Sequence, residues 1–316
     1  MPAFLEPLAH GISAIDTGFV RPRFDSAYLI VENGRAAFVD TGPNSAVPRL
    51  LAALAARGLG TDAVDWVIPT HVHLDHAGGV GSLMAQLPNA RLAIHPRGAR
   101  HMIDPSALME GVRAVYGAEV AERDYGTLVP VPESRVVATS DAMIIELSGR
   151  PLRIIDTPGH AKHHHCLWDE ASRGWFTGDT FGIVYPELET PAGPYIVPAT
   201  APIHFDPAAL HASVKRLLAA HPDVMYLTHY GAVRDAEHLS VQFLRQVDTM
   251  VVAARALAGA PDRHARLREA CEVIYLAELA QMGSTLSRAT QREILSMDIE
   301  LNAQGLGAWL ASGKAA

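Results

Sequence analysis

The chain has 316 residues, of which 49% are hydrophobic, and a formal net charge of −8 at pH 7. This length suits one large domain, or one domain with an appendage, and the acidic balance argues against a nucleic-acid partner, which would require a basic face. The apolar runs are far shorter than the ~20 residues that cross a bilayer, the N-terminus lacks a signal-peptide pattern, and two cysteines do not suggest a disulfide framework. We therefore expect a cytoplasmic protein with no nucleic-acid partner and no membrane association.

The N-terminal part of the chain predicts β-strands. Apolar and β-branched runs predict strands over residues 12–15, 26–31 and 35–40, with Asn33-Gly34 as the hairpin turn between the last two. Asp40 ends the third strand, where its carboxylate could brace a neighbouring loop by hydrogen bonds or cap the helix that follows. Asn44 or Ser45 is the predicted cap of that helix.

Three imidazoles and one carboxylate lie within six positions directly after the next predicted strand, residues 64–69: His71, His73, Asp75 and His76. Neutral imidazole and carboxylate are the ligands that suit zinc, iron or manganese. In extended backbone His71 and His73 point to the same side, and the turn that follows moves Asp75 and His76 in another direction. One metal ion could therefore bind the first pair and a second ion the other. The alternative is a solvated loop that is rich in histidine by chance, in a chain with 16 histidines.

Three later strands end in the same way. The predicted strands within 152–160, 174–179 and 224–229 are followed by His160, Asp179 and His229. Strand ends on one side of a sheet converge on one edge, where α/β proteins place their sites. We therefore expect these residues to supply further metal ligands.

The order and spacing of these residues resemble the signature of the metallo-β-lactamase superfamily over roughly residues 10–232. The short motifs around them also match: Asp40-Thr41-Gly42, Thr157-Pro158-Gly159-His160 and Thr177-Gly178-Asp179-Thr180. The resemblance implies an α/β fold, an αββα four-layer sandwich of two mixed sheets flanked by helices. It also implies one metal ion on His71, His73 and His160, a second on Asp75, His76 and His229, and Asp179 as a bridge between the two.

The function implied is that of a metallohydrolase that acts on a small-molecule substrate. A hydroxide bridged by the two divalent ions would attack an ester, thioester, lactone or phosphodiester bond, with Asp75 or Asp179 accepting the proton. Zinc is the expected metal, although ligands of this kind also accept iron and manganese.

Other histidines are given no ligand role. His95 also follows a strand, but the family has no ligand there, so we expect it to be structural or to support the site. His163 and His165 are not assigned as ligands. His164 matches a histidine that resembling sequences often carry, and we expect it to be buried beneath the site. A helix is predicted over 106–122. Tyr116 in this helix and Tyr125 in the polar stretch that follows could line a pocket or contribute to packing.

The Pro-rich segment 181–206 follows the predicted bridging residue Asp179. We interpret it either as a lid or wall that faces the substrate or as an ordered loop without chemistry. Its polar candidates for substrate contact are Tyr185, Tyr195 and His204, with Tyr230 as a further candidate next to His229. Asp206 is the predicted N-cap of the next helix.

The C-terminal part has apolar residues at helical spacing, which predicts helices over 236–258, 262–281 and 285–302. We expect a metallo-β-lactamase-like domain over 1–234 and a helical extension over 235–316. The extension would pack on the domain, cover the pocket or form a homodimer.

Two other functions stay open. One is a non-catalytic or weakly catalytic regulatory or signalling protein of this fold. The other is a mononuclear iron oxidoreductase that resembles the persulfide dioxygenases. The motifs around His160 and Asp179 are like those of hydroxyacylglutathione hydrolases, but the C-terminal part has no obvious basic cluster to hold the carboxylates of glutathione.

Overall fold

The computed structural model describes residues 2–200 and 204–313. Its strands are β1 (Leu5–Pro7), β2 (Ile12–Asp16), β3 (Ser26–Glu32), β4 (Arg35–Val39), β5 (Val64–Ile68), β6 (Arg91–Ile94), β7 (Val136–Ala138), β8 (Ile144–Leu147), β9 (Arg150–Asp156), β10 (His165–Asp169), β11 (Gly174–Gly178), β12 (Val224–Leu227) and β13 (Gly231–Val233). Its α-helices are α1 (Val47–Ala56), α2 (Leu74–Ala77), α3 (Val80–Met84), α4 (Pro96–Ile103), α5 (Ser106–Tyr116), α6 (Ala118–Tyr125), α7 (Pro207–Leu218), α8 (Ala236–Ala256), α9 (Arg263–Gln281), α10 (Arg288–Ile294) and α11 (Ser296–Ala311).

The chain divides into two compact units. The first unit contains Met1–Asp156 and His163–Gly178, and the second contains Thr157–Lys162 and Asp179–Ala316. The expected boundary between residues 234 and 235 stays a prediction about domain organisation.

A seven-stranded mixed sheet, in the order β1 to β7, forms the larger part of the first unit. Strands β1 to β4 are antiparallel, and β4 to β7 are parallel. Phe38, Val67 and Leu92, on three of the central strands, are fully buried in the core of this unit. The strands that carry these residues consist largely of consecutive apolar residues, which is typical of strands that are covered on both faces.

The first unit also contains the antiparallel strands β8 to β11. The turn between β8 and β9 has positive φ at both central residues, 50° at Ser148 and 90° at Gly149, which is the backbone of a favoured two-residue hairpin. Arg150 then begins β9 with a buried ion pair, in which its Nε donates to Oδ1 of Asp169 at 2.8 Å.

The second unit contains helix α7, the antiparallel pair β12–β13 and the C-terminal helices. Helices α8, α9 and α11 pack on one another. Among the residues described, none of the helices has both the length and the apolar character that crossing a membrane requires.

The sheets and their flanking helices confirm the expected α/β class. The predicted helix over 106–122 is wrong in its continuity, because Gly117 with φ of 85° separates α5 from α6. The predicted helix over 285–302 is likewise two helices, which meet at Leu295. Strands β1, β7 and β13 were not predicted, since each has only three residues. Helix α4 was not predicted either.

Candidate metal centre

The histidine-rich loop lies between β5 and α2 in the first unit. His73 is the residue before the first turn of α2 and has extended backbone, with φ of −62° and ψ of 146°. Nε2 of His71 and Nδ1 of His73 lie 2.8 Å apart, and His71 is fully buried. The extended stretch thus brings the first pair of imidazoles together, as the alternation of side chains predicts.

The second pair, Asp75 and His76, lies one turn further on. Oδ2 of Asp75 is 3.8 Å from Nε2 of His76. The two environments differ: His76 is fully buried, whereas the Asp75 side chain is 25% exposed. Of the two, only the carboxylate therefore has ready access to solvent.

Asp40 braces this loop. Its Oδ1 accepts hydrogen bonds from the backbone N–H of Thr70 at 2.7 Å and from the Thr70 hydroxyl at 3.0 Å. Its Oδ2 lies 2.9 Å from Nδ1 of His76. A carboxylate accepts, so Nδ1 of His76 carries the proton, and in the neutral ring Nε2 offers a lone pair. The predicted bracing role is confirmed.

The alternative role of Asp40 as a helix cap is wrong. The first helical turn after β4 begins at Asn44 and has no side-chain cap. The side chain of Asn44 instead donates to the carbonyls of Tyr125 and Thr127 at 2.9 and 2.8 Å and accepts from the hydroxyl of Ser82. Asn44 therefore connects the end of α6 to α3. The prediction that Asn44 caps the helix is wrong.

In the second unit, helix α7 holds the turn that carries His160. The N–H of Asp206 donates to the carbonyl of Gly159 at 2.8 Å, and the hydroxyl of Ser213 donates to the carbonyl of Pro158 at 2.6 Å. Gly159 has φ of 136°, and a Cβ there would lie 2.4 Å from Cα of Leu210. The turn therefore requires glycine. Asp206 also caps α7 as predicted, by accepting from the N–H of Ala209.

The carboxylate of Asp179 lies between two imidazoles. Its Oδ2 is 3.3 Å from Nε2 of His160, and its Oδ1 is 3.7 Å from Nε2 of His229. All three side chains are at least nine-tenths buried. Each carboxylate oxygen thus faces a different histidine, which is the arrangement that a bridging ligand requires.

The His160 ring provides a test of whether a cation fits. Its Nδ1 lies 2.9 Å from the carbonyl oxygen of Ala199, which can only accept, so Nδ1 carries the proton. In the neutral ring Nε2 then has a lone pair, and it faces the Asp179 carboxylate at 3.3 Å. Two electron-rich atoms this close in a buried environment repel each other, and a cation that both atoms bind removes the repulsion. Groups of histidine and aspartate side chains that could hold a metal ion therefore exist among the described residues.

Three other histidines, His95, His163 and His164, are buried. His95 caps α4, where its Nδ1 accepts from the N–H of Arg97 at 3.1 Å, which confirms the structural role. His164 is buried and its ring is stacked on that of His71, with centroids 4.8 Å apart. His163 is also buried, with its centroid 6.1 Å from that of His71.

His165 is fully buried and joins three parts of the first unit. Its Nε2 donates to the carbonyl of Pro69 at 3.0 Å, and its Nδ1 lies 3.1 Å from the hydroxyl of Thr139. Burial, and to a lesser degree the imidazole of His95, lower the pKa of His165 to about 4. The ring is therefore neutral at pH 7.

The predicted substrate-contacting residues differ in their surroundings. Tyr185 and Tyr195 are fully buried, and their hydroxyls donate to Oδ1 of Asp298 at 3.2 Å and to Oε1 of Gln246 at 2.8 Å. Burial raises the pKa of Tyr195 well above its ordinary value. These surroundings favour packing over substrate contact for both tyrosines.

His204 is partly exposed and Tyr230 is 6% exposed, and their substrate roles stay predictions. Tyr125 packs its ring against Phe19 with centroids 5.8 Å apart, which favours packing over a pocket role. The side chain of Tyr116 lies outside the described part of the structure.

The model of the metallo-beta-lactamase superfamily matches residues 20–229. The chain belongs to this superfamily. Among curated relatives, it is 24% identical over 262 residues to the metallo-beta-lactamase fold-containing protein ST1585 of Sulfurisphaera tokodaii, which covers 79% of this chain and 90% of that protein. It is 28% identical over 254 residues to a hydroxyacylglutathione hydrolase of Acidiphilium cryptum, which covers 77% of this chain and 81% of that protein.

Solved structures show the same fold. The crystal structure of ST1585, described as an archaeal metallo-beta-lactamase superfamily protein, matches with a TM-score of 0.66 at 22% identity, over 95% of this chain and 99% of that chain. A chemotaxis sensor, ODP, whose structure is described as a peroxy diiron species, matches with a TM-score of 0.53 at 20% identity, over 76% of this chain and 91% of that chain. The expected metallo-β-lactamase fold, two mixed sheets flanked by helices with a helical C-terminal region, is therefore confirmed.

Sequence reasoning missed two groups that orient candidate ligands in this superfamily member. They are the hydroxyl of Thr70, 3.2 Å from Nδ1 of His71, and the carbonyl of Ala199 beside His160. Thr70 is adjacent to the histidine motif and could have been found there. A backbone carbonyl has no sequence signal.

Proposed function

We propose that this superfamily member is a metal-dependent hydrolase that binds two divalent metal ions, with zinc as the preferred metal. The proposed ligand groups are His71, His73, His160 and Asp179 for one ion and Asp75, His76 and His229 for the other. Asp179 would contact both ions. Imidazole and carboxylate ligands in these numbers suit zinc.

The contact between His160 and Asp179 carries this proposal. With Nδ1 committed to the Ala199 carbonyl, Nε2 presents a lone pair to a carboxylate oxygen 3.3 Å away. The same logic holds at His76, where Asp40 accepts a hydrogen bond from Nδ1–H, so that in the neutral ring the lone pair of Nε2 is the one that a metal ion can bind. Such anchoring of the far ring nitrogen is typical of metal-binding histidines.

Cations bound by these residues supply Lewis acidity toward a carbonyl or phosphoryl oxygen and lower the pKa of water. The side chains of the protein would transfer the proton and orient the ligands. Asp75, with its side chain 25% exposed, can accept a proton from the attacking water and release it to solvent. Asp179 directs its two oxygens toward His160 and His229, so cations bound beside this carboxylate would hold both rings in position.

Esters and thioesters are the substrate class that we favour. Support comes from the similarity to a hydroxyacylglutathione hydrolase and to an atrochrysone carboxyl ACP thioesterase of Aspergillus fumigatus. The thioesterase is 26% identical over 156 residues, which cover 49% of this chain and 39% of that protein. Lactones and phosphodiesters are the other electrophiles that this chemistry can attack. The C-terminal part of the sequence has no obvious basic cluster for glutathione carboxylates, so we favour an acyl group on a different carrier.

The test combines metal counting with turnover. Purified protein is analysed for its metal content and then assayed on an aryl ester, an acyl thioester, a lactone and an aryl phosphodiester. The expected result is two metals per chain and turnover of an ester or thioester that a chelator abolishes and added metal restores. Two metals without turnover of any substrate would favour a regulatory protein. A single iron with oxygen consumption in the presence of a persulfide would favour the oxidoreductase.

Variants test the ligand assignment. His71→Ala and Asp179→Ala should lose metal and activity together. The matched controls are His264→Ala and Asp248→Ala, because the side chains of His264 and Asp248 are 52% and 63% exposed and pair with Glu300 and His211. Full metal content in both ligand variants would contradict the assignment.

A further inference from the structure

The tautomer of His160 depends on one backbone carbonyl. Ala199, whose carbonyl lies 2.9 Å from Nδ1 of His160, is itself buried. If this carbonyl moved away, the proton could transfer to Nε2, and the ring would lose the lone pair that faces Asp179. A residue that fixes the position of the Ala199 carbonyl therefore also determines which nitrogen of His160 has the lone pair for a metal ion.

Asn302 of helix α11 holds the residues on both sides of Ala199. Its Nδ2 donates to the carbonyl of Pro198 at 2.8 Å, and its Oδ1 accepts from the N–H of Thr200 at 2.6 Å and from the Thr200 hydroxyl at 2.8 Å. One amide thus pairs with backbone groups on either side of a single residue. Asn302 is 2% exposed, so water does not compete for these bonds.

A second helix holds Asn302 in turn. Its Nδ2 also donates to the hydroxyl of Tyr275 on α9 at 2.7 Å, and that hydroxyl lies 3.5 Å from Sδ of Met250 on α8. Tyr275 is fully buried, and burial raises the pKa of its hydroxyl well above its ordinary value. The amide of Asn302 therefore has little freedom to rotate, because donors and acceptors from three directions define its orientation.

Other contacts hold the same segment at a different point. Nε2 of Gln246 donates to the carbonyl of Ile196 at 2.7 Å, and Oε1 of Gln242 accepts from the N–H of Ile196 at 2.7 Å. These bonds fix the chain three residues before Ala199. Gln246 can therefore serve as a control for Asn302, since it is as buried as Asn302 but does not bind the residues next to the Ala199 carbonyl.

We propose that Asn302, on a C-terminal helix, is a positioning residue for His160: it fixes the Ala199 carbonyl and thereby fixes the tautomer of the ring. This rests on the proposed function only for the role of His160 as a metal ligand. The C-terminal helices are then part of the support of the metal centre and not only a cover for apolar surface.

The test compares Asn302→Leu with Gln246→Leu. Each variant replaces a buried amide by an apolar side chain and removes bonds to the same segment. The tautomer of His160 is measured in metal-free protein by ¹⁵N NMR of the ring, and zinc affinity is measured by competition with a chromophoric chelator. Asn302→Leu should show mixed tautomers and about 10-fold weaker zinc binding, the lower end of the range for lost ligand support. Gln246→Leu should keep the single tautomer and bind zinc within about 2-fold of the unaltered protein.

Thr200→Val is the milder variant if Asn302→Leu does not fold. It removes the hydroxyl bond to Asn302 but keeps the backbone N–H, so a smaller shift in the same direction is expected. An unchanged tautomer in the folded variants, or equal effects in the Asn302 and Gln246 variants, would overturn the proposal. If the unaltered protein binds no zinc, the ligand assignment fails, while the tautomer measurement still decides the role of Asn302.

Discussion

His165 should make the protein less stable as the pH falls from 7 to 5. Both ring nitrogens of the neutral form are used, one by the Pro69 carbonyl and the other by the Thr139 hydroxyl. Burial lowers the pKa of His165 from 6.5 to about 4, with a smaller contribution from His95. The pKa is thus lower in the folded protein than in the unfolded chain, so the unfolded chain binds the proton more tightly. The contribution of neutral His165 to the free energy of unfolding is therefore fully present above about pH 6.5 and decreases until about pH 4.

The size of this effect follows from the pKa difference. The shift of His165 from 6.5 to about 4 corresponds to about 3 kcal/mol of unfolding free energy, of which about 2 kcal/mol is lost between pH 7 and pH 5. The assay is equilibrium urea unfolding of metal-free protein at both pH values, for the unaltered protein and for His165→Gln. Glutamine can still donate to the Pro69 carbonyl but does not ionise.

The two proteins should respond differently to pH. At pH 7 the variant should be about 1 kcal/mol less stable, because it loses the bond to the Thr139 hydroxyl. At pH 5 it should equal or exceed the unaltered protein, because protonation of His165 then stabilises the unfolded chain of the unaltered protein while the folded ring stays neutral. The other histidines titrate in both proteins, so the difference between the two curves isolates His165. Parallel curves between pH 7 and pH 5 would refute the reasoning.

Three further predictions address the brace, the buried ion pair and the C-terminal helices. Asp40→Asn should weaken metal binding about 10–100-fold, because one amide oxygen cannot accept from both Thr70 and His76; unchanged affinity in a chelator competition would contradict the bracing role. Asp169→Asn removes the buried carboxylate that pairs with Arg150, whose guanidinium then keeps the partly exposed Glu32 carboxylate, 3.4 Å away, as its counter-charge. The variant should cost about 3 kcal/mol of unfolding free energy, the lower end of the range for a broken buried ion pair. Urea unfolding measures this cost, and a loss below about 1 kcal/mol would mean that the pair is not effectively buried. Removal of residues 235–316 should expose apolar surface and cause aggregation in size-exclusion chromatography, and a monomeric, soluble and active truncation would refute this.

The sequence by itself determined the family, the fold class and the candidate ligands. Each of these depends on local pattern: apolar runs predict strands, and a histidine or aspartate that follows a strand end is visible without knowledge of the fold. The hairpin at Asn33-Gly34 and the cap at Asp206 are local in the same sense, and both occur in the structure. The main errors in helix extent came where one residue interrupts a periodic pattern, at Gly117 and at Leu295.

The tertiary structure decided how the candidate ligands are oriented. The proton of His76 is directed by a carboxylate 36 positions earlier in the chain, and the amide of Asn302 reaches Thr200 across 102 positions. It also showed that Tyr195 meets Gln246 in the protein interior. A hydrogen bond depends on distance and direction in space, and sequence separation limits neither. The residues that hold a ligand in place are therefore visible only after the chain has folded.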